Sequence, residues 1–95
     1  MRDYEMMLIL RADLSDEDLS NAVDTVQGWI ENGGGTIANV DRWGRRRLAY
    51  QIDRQRDGFY LLYTLDLPAE LPAELERNLR INENVLRHLI IRKGA

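Results

Sequence analysis

Asp53-Arg54-Gln55-Arg56-Asp57-Gly58-Phe59-Tyr60-Leu61-Leu62-Tyr63-Thr64-Leu65-Asp66-Leu67 joins a polar segment ending in Asp-Gly to a nine-residue aromatic and aliphatic run broken only by Thr64 and Asp66. Asp-Gly is a turn signal, because both residues tolerate positive φ. Residues 53–58 are therefore expected to reverse the chain and residues 59–67 to form a strand. Before the turn, residues 36–52 read as extended, with Val40, Leu48, Tyr50 and Ile52 on one parity but Ile37 and Trp43 on the other. That mismatch predicts a bulge, for which Gly44 is the site. The two extended segments then form a hairpin.

Helices flank the hairpin on both sides. Upstream, Ser15 and Asp18 have capping-box spacing, with Leu14 and Leu19 placed for a hydrophobic staple. Leu19, Ala22, Val23, Val26 and Ile30 follow as an apolar stripe that ends at Gly33, Gly34 and Gly35. Downstream, Leu71, Leu75 and Leu79 recur every four residues after Pro68 and Pro72, which predicts a short second helix. At the start, Tyr4, Met6, Leu8 and Leu10 alternate with Asp3, Glu5, Met7 and Ile9 as a strand with one strongly apolar face. Residues 85–91 form the last strand, and both of its parities are apolar enough to face a core. The order is βαββαβ, the split βαβ arrangement of a ferredoxin-like α+β domain. Right-handed crossovers put both helices on one face of a four-stranded antiparallel sheet with strand order 4-1-3-2.

The 95 residues suit one domain, residues 1–95, and 44% hydrophobic with 31% charged residues is a globular composition. No apolar run approaches the roughly 20 residues of a membrane helix. The N-terminus enters strand one without the pattern of a signal peptide, so a cytoplasmic location is expected. With no cysteine and one histidine, His88, thiolate metal sites, cysteine nucleophiles and His-based acid–base pairs have little to draw on. No catalytic residue, metal ligand or cofactor is expected, and His88 reads as structural or surface.

The net charge of −3 conceals an uneven distribution. Residues 13–31 hold six acids and no base, whereas residues 42–56 hold six arginines against Asp53 alone, and residues 85–95 add Arg87, Arg92 and Lys93 without an acid. A polyanion would approach the last two regions. Within the first of them, Gly44-Arg45-Arg46-Arg47-Leu48-Ala49-Tyr50 sets three arginines in succession on a strand. Guanidinium groups fork onto phosphates and stack on rings, but charge on an edge strand also guards against aggregation. The residues alone leave both readings open.

This stretch, continued by Gln51 and Ile52, resembles the signature of the bacterial small-subunit ribosomal protein six family: a glycine and basic residues, then Leu-Ala-Tyr-x-Ile. The likeness extends to Arg2, Tyr4 and Glu5, to Arg80-Ile81 and to Asn84-Val85. Gln51 departs from it, standing where members often have Pro, and the sequence ends at Ala95, short of the tail many members carry. The resemblance implies a ferredoxin-like, non-enzymatic component of the small ribosomal subunit. Such a protein binds the central domain of 16S ribosomal RNA together with small-subunit ribosomal protein eighteen. Arg45, Arg46, Arg47, Leu48 and Tyr50 are then expected on a partner-facing edge. Tyr60 and Leu62 join them if their parity of strand three faces away from the helices, where Met7 and Ile9 would extend an apolar surface. Arg2, Arg87, Arg92 and Lys93 are expected to meet phosphates, because strands one and four are neighbours.

Two other readings compete. An autonomous RNA-recognition-motif-like module would stack bases on strand three, but Asp57-Gly58-Phe59-Tyr60-Leu61-Leu62-Tyr63 matches that motif only at the Gly and the first aromatic. An acylphosphatase-like enzyme would need a phosphate cradle after strand one, where Arg11-Ala12-Asp13-Leu14-Ser15-Asp16 is acidic instead. Neither a membrane nor a small-molecule substrate is an expected partner.

Overall fold

The computed structural model describes residues 1–94. Its elements are β1 (Arg2–Arg11), α1 (Asp16–Asn32), β2 (Thr36–Ile52), β3 (Gln55–Leu67), α2 (Leu71–Ile81) and β4 (Val85–Arg92). Antiparallel pairings of β2 with β3, β3 with β1 and β1 with β4 give the sheet order β2-β3-β1-β4. This is the expected ferredoxin-like α+β architecture.

Local chemistry starts and stops the helices as anticipated. Ser15 Oγ accepts the Asp18 N–H at 3.1 Å, and Asp16, Glu17 and Asp18 occupy the first turn of α1, where the helix dipole favours negative charge. A proline stands in the first turn of α2, where its missing N–H breaks no helical bond. One face of the sheet presents Met6, Leu8 and Leu10 from β1 and Leu61, Tyr63, Leu65 and Leu67 from β3. Against them pack Ala22, Val23, Val26 and Ile30 of α1 and Leu71, Leu75 and Leu79 of α2. Burying each such side chain contributes on the order of 1.5–3 kcal/mol. No described helix is long and apolar enough to cross a membrane.

β2 bulges more than its sequence suggested. Gly44 has φ +80°, a conformation that L side chains rarely adopt, and the register with β3 shifts between Arg42 and Gly44 as expected there. A second shift between Ile37 and Asn39 brings Ile37 opposite Leu65 and Val40 opposite Tyr63. Both side chains therefore reach the core despite their opposite parity.

The hairpin turn is shorter than residues 53–58. Asp53 and Arg54 alone form it, with φ 49° and 66°, and β3 begins at Gln55. Two residues at positive φ match the twist of the flanking strands, so the chain can reverse without using Asp57-Gly58. Gly58 instead sits within the ladder, opposite Arg46 and Arg11. A Cβ there would lie 2.4 Å from Ile9 Cγ2 and 3.2 Å from Leu48 Cδ2. Glycine thus permits close approach rather than a turn. In β4 the His88 and Ile90 parity faces the helices, opposite Leu8 and Met6, and a register shift between Ile9 and Leu10 lets Val85 of the other parity reach the core as well, leaving Leu89 and Ile91 56% and 50% exposed.

Tyr63 is fully buried, and its hydroxyl has no hydrogen-bond partner among the described residues. Burial pushes its phenol up to about 12 from the ordinary 10.0. The neutral form is favoured in the folded state, so this contribution is complete below pH 10 and is lost as pH rises from about 10 towards about 12. Tyr63→Phe is expected to leave stability unchanged or raise it by about 1 kcal/mol at pH 7, since an unmet buried hydroxyl costs desolvation energy. It should also flatten the alkaline loss, as urea unfolding at pH 7 and pH 11 would show. Destabilisation above about 1 kcal/mol at pH 7 would mean the hydroxyl has a partner.

Candidate functional site

Directly paired residues of antiparallel strands point to the same face, so the registers define the sheet surface that the helices leave open. Three rows cross it: Gly44–Tyr60–Ile9–Arg87, Asp41–Leu62–Met7–Leu89 and Asn39–Thr64–Glu5–Ile91. Tyr60, Leu62 and Thr64 therefore do face away from the helices, together with Met7 and Ile9. The surface is apolar at its centre and polar on the β2 side. Trp43, displaced by the Gly44 bulge, stacks on Tyr60 with ring centroids 6.2 Å apart and an interplanar angle of 9°. Its indole N–H is held by Asp41 Oδ2 at 3.0 Å.

The arginine triplet lies on the edge strand β2 as expected, but strand alternation divides it between the two faces. Arg46 opposes Gly58 and faces the open surface, where its Nε donates to the Trp43 carbonyl at 3.3 Å. Arg45 opposes Phe59 and Arg47 opposes Asp57, which puts both on the helix side. There an Arg45 Nη donates to the Ala12 carbonyl at 2.8 Å, beside the β1–α1 turn. In that turn Asp13 accepts from Arg11 at 3.0 Å and from Gln55 at 3.3 Å. The Arg11 hydrogen bond holds the Asp13 carboxyl below its usual range and the guanidinium above its own. This turn is committed to internal contacts.

Beyond Arg47 the ladder breaks. Arg47 opposes Asp57 and Ile52 opposes Gln55, so Leu48, Ala49, Tyr50 and Gln51 arch out against Arg56 alone. Leu48 folds back and is buried, whereas Tyr50 is exposed. A groove of about 250 Å³ runs beneath the arch between Ile9, Met7 and Leu89. Tyr50 closes it by meeting Arg87, whose Nη1 donates to the tyrosine hydroxyl and whose Cζ stands 5.9 Å from the ring centroid.

The four residues expected at phosphates are not brought together. Arg92 opposes Tyr4 and Arg2 opposes Leu67, which puts both on the helix side at one end of the sheet; the Lys93 N–H bonds the Asp3 carbonyl there. Arg87 lies five positions along β4, about 17 Å away, on the open face. In its place the fold supplies two arginines that the sequence reading missed. Arg77 and Arg80 of α2 line a groove with Arg92, Tyr4 and Ile90. Their spacing of three, one helical turn on the side next to the leucine stripe, was the available signal. The surface position of Trp43 is not legible from alternation, because the bulge takes it out of the strand's regular pairing.

Among the described residues Arg11 and Asp13 form an ion pair, and His88 Nε2 and Glu76 Oε1 form a hydrogen bond of 2.7 Å. The latter ties β4 to α2 and gives His88 a structural place. Arg2, Arg46, Arg47, Arg77, Arg80 and Arg92 have no carboxylate within 4.0 Å among the described residues. Their charge is open to an external anion. The described residues contain no cluster of three or more potential metal ligands.

The family model described as ribosomal protein S6 matches residues 3–92. Small ribosomal subunit protein bS6 of Clostridium beijerinckii is 45% identical over 91 residues, covering 96% of each chain. The protein of the same name from Carboxydothermus hydrogenoformans is 41% identical over 93 residues, with 98% of this chain and 97% of that one aligned. Among solved structures, 30S ribosomal protein S6 of Thermotoga maritima superposes with a TM-score of 0.90 at 30% identity, over 97% of this chain and 87% of that one.

Proposed function

Because this chain belongs to the ribosomal protein S6 family of the small subunit, we propose that it docks two partners there at once, small-subunit ribosomal protein eighteen and the central domain of 16S ribosomal RNA. The carrying observation is the open sheet face, apolar along Leu62–Met7–Leu89 and flanked by Arg46. Apolar rows rimmed by unneutralised charge suit a protein partner. Tyr60, Leu62, Leu48, Tyr50 and Arg46 belong to this surface, with Arg45 and Arg47 at its margin. Arg2, Arg92 and Lys93 are assigned to phosphates, and Arg77 and Arg80 extend that set. The role is structural, without turnover, and places the protein with cytoplasmic ribosomes.

The acidic helix α1 and the net charge of −3 oppose long-range attraction to RNA, so only local patches contribute. With about 0.9 counterions released per duplex phosphate, three or four contacts give a log–log salt slope of about −3 and modest affinity. A basic partner on the open face adds positive charge and joins two chains at one RNA site. A mobility-shift titration of central-domain RNA is expected to show weak binding by this protein alone and at least tenfold tighter binding with protein eighteen present. Reciprocity requires the same gain for the partner. Nanomolar binding alone, or no gain on adding the partner, would overturn this reading.

The first of those outcomes would favour the autonomous RNA-recognition module, which Tyr60 supports by lying on the open face. Trp43 already occupies one side of its ring, however. In that case Tyr60→Ala should cost the roughly 1–3 kcal/mol of a lost base stack.

A further inference from the structure

β2 and β4 are the two edges of the sheet, with β3 and β1 between them. At about 4.8 Å per strand, their backbones lie roughly 14 Å apart. Only long side chains reaching over the open face can join the two edges, and Tyr50 does so from the Leu48–Gln51 segment, where the register with β3 is broken. Two features hold this segment in place. Leu48 inserts over Gly58 and Ile9, where the missing Cβ makes room. Tyr50 meets Arg87 through both its hydroxyl and its ring.

Arg87 has no carboxylate partner among the described residues, and its guanidinium is already engaged. Its register partner Ile9 places it at the arch end of β4, about 17 Å from Arg92. We infer that Arg87 is a positioning residue, whose guanidinium latches Tyr50 and holds the Leu48–Gln51 arch closed over the groove of the open face, rather than a contact to RNA phosphate. The latch shapes the docking surface before a partner arrives, so a partner need not bear the entropy of ordering four residues. That consequence for binding rests on the function proposed above; the latch itself does not.

The two parts can be tested separately on the full chain. Backbone ¹⁵N relaxation of the free protein, compared with Arg87→Ala, Tyr50→Ala and the double variant, reads the arch directly. Order parameters at Leu48–Gln51 should fall from the rigid range near about 0.85 to below about 0.6 in each variant while β1 and β3 stay rigid. Affinity for protein eighteen is then expected to fall about fivefold to tenfold in each single variant, and by no more in the double variant, since both remove the same contact. The salt slope of RNA binding should be unchanged in Arg87→Ala. Rigid Leu48–Gln51 amides in Arg87→Ala would overturn the latch. So would a salt slope reduced by about one in Arg87→Ala but not in Tyr50→Ala, the mark of a lost phosphate contact. If the amides loosen but the unaltered protein binds neither partner, the latch stands and the proposed function fails.

Discussion

Arg46→Glu is expected to abolish docking of the protein partner while leaving the fold intact. Arg46 is exposed, and among the described residues its side chain makes one hydrogen bond, to the Trp43 carbonyl at 3.3 Å. Substitution at such a surface position usually changes stability by less than about 0.5 kcal/mol. In a complex the loss is larger, because reversal leaves the partner's complementary group facing a like charge. A buried interfacial charge without its partner costs roughly 2–5 kcal/mol, on the order of 30-fold or more in affinity. The division of the triplet adds an internal control. Arg47→Glu changes the same charge on the other face of the same strand, opposite Asp57, and should weaken docking several-fold less. Titration calorimetry with protein eighteen, alongside urea unfolding, would read both effects. Equal losses for Arg46 and Arg47 would mean that only net charge matters. Unchanged affinity even in the triple variant would leave edge protection as the purpose of the arginines.

Leu8→Ala is expected to produce a large loss of stability while leaving the proposed surface untouched. Leu8 is fully buried at the middle of β1, a strand paired on both sides, with Leu61 opposite it on β3 and His88 on β4. Truncation removes hydrophobic transfer energy and leaves a cavity that a four-stranded sheet cannot collapse to fill. Leucine-to-alanine changes in such cores cost roughly 2–5 kcal/mol, and about 3 kcal/mol would lower the melting temperature of a domain this size by roughly 12–24 °C. Differential scanning calorimetry with chemical denaturation would check it. A loss below about 1 kcal/mol would mean that the core is not the closely packed layer described. The variant's partner affinity, measured where it is still folded, should match the unaltered protein, because Leu8 points away from the open face.

The element order, both helices with their buried stripes, and the inward parity of β1 were legible in the residues themselves. Each rests on short-range physics: a cap within one turn, an apolar period of about 3.6 or 2, a glycine where φ must be positive. The position of a bulge at Gly44 was legible for the same reason. Its consequences were not, since every added residue in β2 flips the faces that follow. Three register shifts in one strand put Ile37 and Val40 on the same side, displaced Trp43 outward and released Leu48–Gln51 from the ladder, which sets the face that each member of the alternating arginine triplet takes. The parity of β4 was ambiguous because Leu89 and Ile91 are as apolar as the residues that reach the core, and only packing against β1 and α2 chose between them. Basic composition likewise marked where positive charge lies along the chain, but not that Arg77 and Arg80 join Arg92 while Arg87 turns to Tyr50. Those meetings join residues far apart in sequence, and they exist because two helical crossovers and an arched hairpin bring distant strands together.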